Sequence, residues 1–514
     1  KDYLLIFLIL FGLISLAKFG LRDILLIIGD KKKQSKKRVA IYGAGSAGAQ
    51  LEATLRLAKS HKVEFFIDDN PILWKRTLNG ILILPSASIK DQIKNIDQIL
   101  FAIPSLNRFE RNLILETIEN HGIPILQIPS IDELTSQEAK IDSLRPIEIE
   151  DLLGREEVTP DNQMLEKAVM NSVVCVTGAG GSIAGEICRQ IIRLNAKTLL
   201  LFEQNEPSLY SIYEELKKYK NTSLKIVPIL GNILDTNYFH KILLDYNVNI
   251  IFHAAAYKHV PMVENNALKG IENNVFGTQS LCKASINTNV EKFIFISSDK
   301  AVRPTNIMGA SKRLAELVVL NSSEKPIPVK DNPTKNICFS MVRFGNVLGS
   351  SGSVVPLFKK QIKKGGPITL THNDVVRYFM TIPEASQLVI QASFLTEGGE
   401  LFLLDMGDPI LIRDLAKKMI NLAGLKVKDK NNPNGDIEII TTGLRKGEKL
   451  YEELLINSKS QKTIHKLIYR ANEPNIQKDK LNNLMSVLEL AIRGNDLEKA
   501  LNTLHKLVPE WIEN

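Results

Sequence analysis

The sequence is poor in the residues that staple or metallate small folds: its 514 residues include four cysteines, eight histidines and two tryptophans. The cysteines, Cys175, Cys188, Cys282 and Cys338, lie far apart and form no CxxC pair. That spacing speaks against a disulfide scaffold or a metal site and for reduced thiols. Aromatic residues make up only 6% and are not interleaved with basic ones, so no nucleic-acid partner is expected. Low-complexity tracts and short-period repeats are missing. Long apolar runs are scarce as well, with one exception. Tyr3 to Ala17 (YLLIFLILFGLISLA) carries no charge, yet falls short of the roughly 20 residues of a spanning helix. The chain begins with Lys1, so this run is expected to be the tail of a span. KFGLRDILLIIGD then suits a helix lying at the interface. Lys31, Lys32, Lys33, Lys36, Lys37 and Arg38 follow, as on a cytoplasmic side. No small-residue cleavage site follows, which argues against a signal peptide.

What is present is ordinary globular material, 44% hydrophobic and 24% charged, with a net charge of +8. The length fits roughly three domains. The positive excess suits a membrane surface or an anionic small substrate. Two segments share one grammar. RVAIYGAGSAGAQLEATLRLA, from Arg38, runs from a strand through Gly43-x-Gly45-x-x-Gly48 into a helical pattern, and the next strand ends at Asp68 and Asp69. SVVCVTGAGGSIAGEICRQIIRL, from Ser172, repeats this and is followed by KTLLLFEQNE. Strand, glycine turn, helix, strand and acid open a dinucleotide-type fold. The pattern predicts an α/β chain with two tandem Rossmann-like, doubly wound domains. The expected boundaries are an anchor tail over 1–34, a first domain over 35–143, a linker over 144–168, a second domain over 169–460 and a helical segment over 461–514.

The two loops differ in support. Backbone N–H groups at a helix N-terminus face a pyrophosphate, and glycine leaves that approach open. The second loop reads Gly178-x-x-Gly181-x-x-Ala184, with Ser182 and Ile183 opening the helix. Glu203 ends the next strand, where a carboxylate takes ribose hydroxyls and repels a 2′-phosphate. That favours NAD over NADP. Asn232 and Ile233 are placed to flank the adenine, and the small Ala254 and Ala256 permit close approach of cofactor and substrate. The first loop has Asp68 in the matching place but no catalytic sequence downstream, which leaves a regulatory nucleotide or a structural relic.

After the strand KFIFI comes SSDKAVRPTNIMGASK, Ser297 to Lys312. Met308 and Lys312 share a helical face, which puts Lys312 beside the nicotinamide ribose. In a large class of nicotinamide-dependent enzymes the Met308 position is a tyrosine that removes a proton. Ser298, Asp299 and Lys300, in a loop after a buried strand, are the groups left to do acid–base work. Together with TGAGGSIAGE, HAAAYKHVPMVE, VRFGNVLGSSGSVVPLF, RYFMTIPEA, LDMGDP and GLRKGEKLYEEL, this segment resembles the membrane-anchored nucleotide-sugar 4,6-dehydratases of bacterial capsule, O-antigen and glycan synthesis. That family belongs to the extended short-chain dehydrogenases, and the resemblance covers about residues 1 to 460.

The resemblance implies a second domain with a smaller C-terminal substrate-binding part, and a location at the inner membrane facing the cytoplasm. It implies a UDP-N-acetylhexosamine substrate, usually UDP-N-acetylglucosamine, and a 4-keto-6-deoxy product. Hydride leaves C4 for NAD and returns at C6, and water is lost between C5 and C6. In the membrane-anchored branch the tyrosine position is commonly Met, as at Met308. Asp299 is then the acid for the C6 oxygen and Lys300 the base at C5, and burial is expected to leave the first protonated and the second neutral. Ser298 is placed to bond the C4 oxygen, and Lys312 to act as a cation beside it. The C4 proton passes to Asp299, Lys300 or water. Lys258 and His259 are expected at the sugar or diphosphate, and Asn346, Arg377, Arg445 and Glu448 around the diphosphate and uridine. A homo-oligomer is expected. The rivals are a C5-inverting dehydratase, a nucleotide-sugar 4-epimerase and a non-catalytic membrane nucleotide or redox sensor.

Overall fold

The computed structural model describes residues 36–58, 61–106, 108–119, 122–128, 144–147, 160–219, 224–323, 337–455 and 460–512. The expected anchor tail and residues 148–159 of the expected linker lie outside them. Among the described residues no helix is long and apolar enough to cross a membrane. The chain divides into two compact units, one formed mainly by residues up to Ile147 and one mainly by residues from Glu148 onward.

The first unit holds a seven-stranded sheet. Its strands are β1 (Lys37–Tyr42), β2 (His61–Ile67), β3 (Thr77–Leu78), β4 (Ile81–Leu84), β5 (Gln98–Phe101), β6 (Ile125–Gln127) and β7 (Arg145–Pro146). They lie in the order β3-β4-β2-β1-β5-β6-β7. β1 is parallel to β2 and β5, and helix α1 (Ser46–Ala58) follows it. Val39, Ile41, Leu51, Leu55, Phe66 and Leu100 form the core. β7 pairs antiparallel with β6, so the sheet reaches into the stretch expected as linker. The carboxylates after β2 are taken up locally. Asp68 accepts from the N–H groups of Ala44 at 2.8 Å and Asn70 at 2.9 Å, and Tyr42 donates its hydroxyl to Asp69 at 2.6 Å.

The second unit holds a nine-stranded sheet of β8 (Val173–Thr177), β9 (Thr198–Glu203), β10 (Lys225–Leu230), β11 (Ile250–His253), β12 (Lys292–Ile296), β13 (Cys338–Arg343), β14 (Leu401–Leu404), β15 (Ser460–Lys462) and β16 (Ile468–Ala471). The order is β10-β9-β8-β11-β12-β13-β14-β16-β15. β8 to β14 pair in parallel, and β16 and β15 close the edge antiparallel. The inner strands read as unbroken apolar runs because helices cover both faces. Alternation along β8 shows it. Val174 and Val176 pack with Ile187, Ile191 and Leu388, while Cys175 packs on the other face with Phe239, Leu281 and Val319.

The order in which strands are added reverses between β8 and β11, which opens a crevice at the carboxyl ends of these parallel strands. The loops after β8, β11, β12 and β13 all emerge there. Helix α2 (Ser182–Ile191) leaves the first, and α3 (Ile307–Ser322) follows the third. The segment after 460, expected as helical, supplies β16 as well as helices α4 (Lys478–Arg493) and α5 (Leu497–Leu507). These helices bury Met485, Leu488 and Leu504 with Leu314 and Leu317 of α3. A buried ion network fastens the same segment. Arg343 donates to Glu316 at 2.7 Å and to Glu473 at 2.7 Å, and Arg313 donates to Glu510 at 2.7 Å.

Candidate active site

The glycine loop after β8 is built for close approach. Gly178 has φ of +69°, and a Cβ there would lie 2.9 Å from Ala255 Cα. Gly181 caps α2 without any side-chain hydrogen bond, so the first N–H groups of α2 keep their donors for a ligand. Ser182 Oγ accepts from Ser351 N at 3.4 Å, which brings the Gly349–Ser353 turn to the same helix end. Ile183 packs partly buried against the core. Ala254 and Ala256 follow β11, half-buried. These features fit a dinucleotide pyrophosphate.

Glu203 ends β9 as expected, but its carboxylate already accepts from Gly180 N at 3.1 Å, Gln204 N at 2.9 Å and Asn205 N at 2.9 Å. It shapes the glycine loop from below. Asn232 folds back to accept from Leu234 N at 2.9 Å, and Ile233 is buried beside Gly277. Gly178→Ala forces a side chain into the left-handed region, at a cost of about 1–2 kcal/mol, and into Ala255. The variant is expected to melt earlier and to weaken dinucleotide binding at the loop, read by thermal denaturation and nucleotide titration.

The chemistry-bearing groups gather after β12. Ser298 Oγ accepts from Lys300 N at 3.3 Å, which starts a 3₁₀ turn over Asp299–Ala301, and donates to Asp299 Oδ1 at 2.9 Å. Lys300 Nζ lies 3.1 Å from Asp299 Oδ1, 3.2 Å from Asn346 Oδ1 and 2.9 Å from Glu452 Oε1. Asp299 Oδ2 is buried and meets no donor among the described residues, and the Glu452 carboxylate beside Asp299 takes its hydrogen bond once Asp299 is protonated. A Cβ on Gly345 would lie 3.1 Å from that oxygen, so glycine there keeps it uncrowded.

Burial, and then the charge of Glu452, push the Asp299 carboxyl up to about 7. This is the direction expected. Lys300 goes the other way. Burial alone lowers it, but the anions Asp299 and Glu452 outweigh burial and hold it above its ordinary value. The expectation of an amine discharged by burial is therefore corrected, and the reason is a carboxylate brought from 152 positions away. Glu452 itself would be raised by burial, but Lys300, Asp299 and Arg377 together bring it below the usual carboxylate range. Sequence reasoning missed Glu452, although it lies within the quoted GLRKGEKLYEEL.

Asn306 caps α3 by accepting from Gly309 N at 2.8 Å, and a Cβ at Gly309 would lie within contact of Lys300 O. Glycine thus seats the helix on the Asp299–Ala301 turn. Met308 is buried in the apolar cluster of Val263, Ile271 and Leu314. Lys312, buried, donates to Ile296 O at 3.0 Å and lies 4.6 Å above the Phe295 ring. Burial pulls it down to about 8, against the charge of Glu316. Asn274 joins this helix to the loop after β11. It accepts from Tyr257 N at 2.8 Å and donates to Tyr257 O and Ser311 Oγ, each at 3.0 Å. His253 was also missed. Thr278 gives its proton to Asn274 O, so His253 Nε2 donates to Thr278 Oγ1 and Nδ1 accepts from Thr177.

The segment Gly443–Leu454 lies along the Lys300–Asn306 turn. Lys449 donates to Val302 O at 2.7 Å, Arg303 pairs with Glu453 at 2.9 Å, and Thr305 donates to Gly447 O at 2.6 Å. Arg377 was expected around a diphosphate. Its guanidinium instead meets Glu452 at 3.3 Å, Glu448 at 3.5 Å and the carbonyls of Val376 and Leu450 at 2.8 and 3.1 Å. Asn346 likewise stays in the cluster, donating to Glu452 Oε2 at 3.0 Å. Glu448 accepts from Thr371 at 2.9 Å and from Arg445 N at 3.2 Å, and Arg445 is exposed. Lys258 and His259 are exposed at the crevice mouth, with His259 over Gly352. Partial burial and the nearby Lys300 lower Lys258; partial burial and Lys258 lower His259.

A parallel sheet with a glycine loop at its reversal point and a Ser-Asp-Lys turn at the next strand end has the architecture of the short-chain dehydrogenases. The solved structure of Pen from Bacillus thuringiensis superimposes with a TM-score of 0.52 at 30% identity, over 62% of this chain and 98% of that one. Residues 174–473 match the family described as polysaccharide biosynthesis protein, and the chain belongs to that family. It is 39% identical over 442 residues to the capsular polysaccharide biosynthesis protein CapD of Staphylococcus aureus, 85% of this chain and 71% of that protein. It is 29% identical over 345 residues to a UDP-N-acetylglucosamine 4,6-dehydratase (inverting) of Campylobacter jejuni, 66% of this chain and 93% of that protein.

Proposed function

We propose that the protein is an NAD-dependent 4,6-dehydratase of UDP-N-acetylhexosamines, with UDP-N-acetylglucosamine as substrate, working as a membrane-anchored homo-oligomer. Its 4-keto-6-deoxy product serves capsule, O-antigen or glycan assembly on the cytoplasmic side. The observation that carries this reading is the Asp299–Lys300 contact at 3.1 Å, with the Asp299 carboxyl buried. The names of the Staphylococcus and Campylobacter relatives support it.

NAD, held at Gly178, Gly181, Ser182 and Ile183, supplies reversible hydride acceptance. The chain's own residues move the protons. Lys300 Nζ passes one proton to Asp299 across their contact, which creates the acid and the base together. The neutral amine takes the C5 proton and the electron pair forms C5=C6. The C6–O bond breaks, and the oxygen takes the Asp299 proton and leaves as water. Met308 takes no part in proton transfer; it fills the tyrosine's place in an apolar cluster. Lys312 lends positive charge to the C4 hydroxyl, Lys258 gives the crevice mouth its attraction for a diphosphate, and His259, held neutral, offers it a ring N–H.

This scheme fixes the pH dependence. The pair must share one proton. Below about 7 Asp299 is protonated while Lys300 is still a cation, and no base remains. Above about 8 Lys312 loses its charge. kcat is expected to rise with pH up to about 7 and to fall above about 8, and a profile with no acid limb near 7 contradicts it.

Incubation of the full chain with NAD and UDP-N-acetylglucosamine tests the function. A base-shifted 4-keto absorbance supports it. UDP-N-acetylgalactosamine as product indicates a 4-epimerase, and NAD binding without turnover indicates a sensor. The Campylobacter relative's name favours one second reading, C5 inversion, and the C5 configuration of the reduced product by NMR separates the two.

A further inference from the structure

We propose that Glu452 is a positioning residue of the reaction: it anchors Lys300 against Asp299 and sets a fixed negative charge beside the proton those two share. The proposal rests on the dehydratase reading above. The Glu452 side chain is only 5% exposed. Oε1 takes Lys300 at 2.9 Å and Arg377 Nε at 3.3 Å, and Oε2 accepts from Asn346 at 3.0 Å. Its holders are themselves held. Arg377 is fixed by the carbonyls of Val376 and Leu450, and Asn346 also receives Lys300 at 3.2 Å. A buried carboxylate with a cation on one side and two further donors stays ionised and cannot swing away. Glu452 does not face the reacting carbons in the scheme; it acts through Lys300.

The other groups around the pair are few. Ser298 bonds Asp299 Oδ1, Glu448 lies behind Arg377, and Lys258 and Lys449 act at longer range. Without Glu452, Lys300 keeps a long flexible stem and loses its nearest anion. Asp299 loses the negative neighbour that helps it hold a proton.

The test uses the full chain with NAD bound, comparing wild type, Glu452→Gln and Glu452→Asp. In Glu452→Gln, kcat is expected to fall about 10²-fold, the cost of a misplaced catalytic group. Its acid limb is expected to move about one pH unit or more below the wild-type position. Glu452→Asp keeps the charge, so its limb returns toward the wild-type value while kcat stays reduced by the shorter reach. Cofactor retention and melting temperature confirm that each variant is folded, and should Glu452→Gln not fold, a Glu452→Asp kcat equal to wild type overturns the proposal. A Glu452→Gln limb that coincides with wild type overturns the proposal, whether or not kcat falls, because a merely structural residue lowers kcat without moving the limb. Failure of the dehydratase reading looks different. It appears in the wild type, as no 4-keto product. In that case infrared titration of the Asp299 carboxyl in wild type and Glu452→Gln decides the charge coupling, and an unshifted titration overturns it.

Discussion

Lys300→Ala is expected to lower kcat for dehydration by roughly 10²–10⁴-fold, the worth of a positioned base, while NAD stays bound. Deuterium from solvent should stop entering C5. The fold has reason to survive. Arg377 and Asn346 still hold Glu452, and Asp299, freed of its cation, takes a proton and becomes neutral. The glycine loop at Gly178 makes no contact that depends on Lys300. Exchange at C5 that continues at the wild-type rate removes Lys300 as the base.

The second large effect concerns stability. The Arg343 side chain is fully buried, with Glu316 and Glu473 as partners. Arg343→Met removes the cation and leaves two buried carboxylates with Arg313 as a neighbouring cation and, for Glu316, the Ser297 hydroxyl. Breaking such a network by deleting one partner costs about 3–5 kcal/mol. Guanidinium unfolding followed by Trp511 fluorescence in a Trp74→Phe background reads the second unit, because Trp511 is buried in its C-terminal helical cluster. A midpoint unchanged from that background contradicts the role given to the network. The same variant reaches the site, since Ser297, next to Ser298, donates to Glu316 at 2.6 Å.

Local pattern made the frame legible. Runs such as VVCVT and KFIFI are continuous because helices cover both faces, and Gly178 is glycine because a side chain would strike Ala255. The Asp299–Lys300 turn was legible for the same reason: it follows a buried strand directly. What could not be read depends on contacts distant in sequence. Glu452 looks like half of an exposed Glu-Glu pair until the fold carries it to Lys300, and only then does the sign of the Lys300 shift emerge. Arg377 reads as a free fork for a diphosphate, yet its donors face Glu448, Glu452 and two carbonyls. Glu203 reads as a ribose ligand, and the fold adds a second role, since three backbone N–H groups of the loops around it also reach its carboxylate. Such residues advertise charge in the sequence but not the partner that uses it.

The central claim is that a hexose oxidised at C4 loses water from C5 and C6 before the same hydride is returned. UDP-N-acetylglucosamine deuterated at C4, turned over by the full chain with NAD in ordinary water, tests it directly. The account predicts a product whose C6 methyl group carries the deuterium. A 4-keto product without deuterium at C6, or recovery of the label at C4 of an epimer, contradicts it.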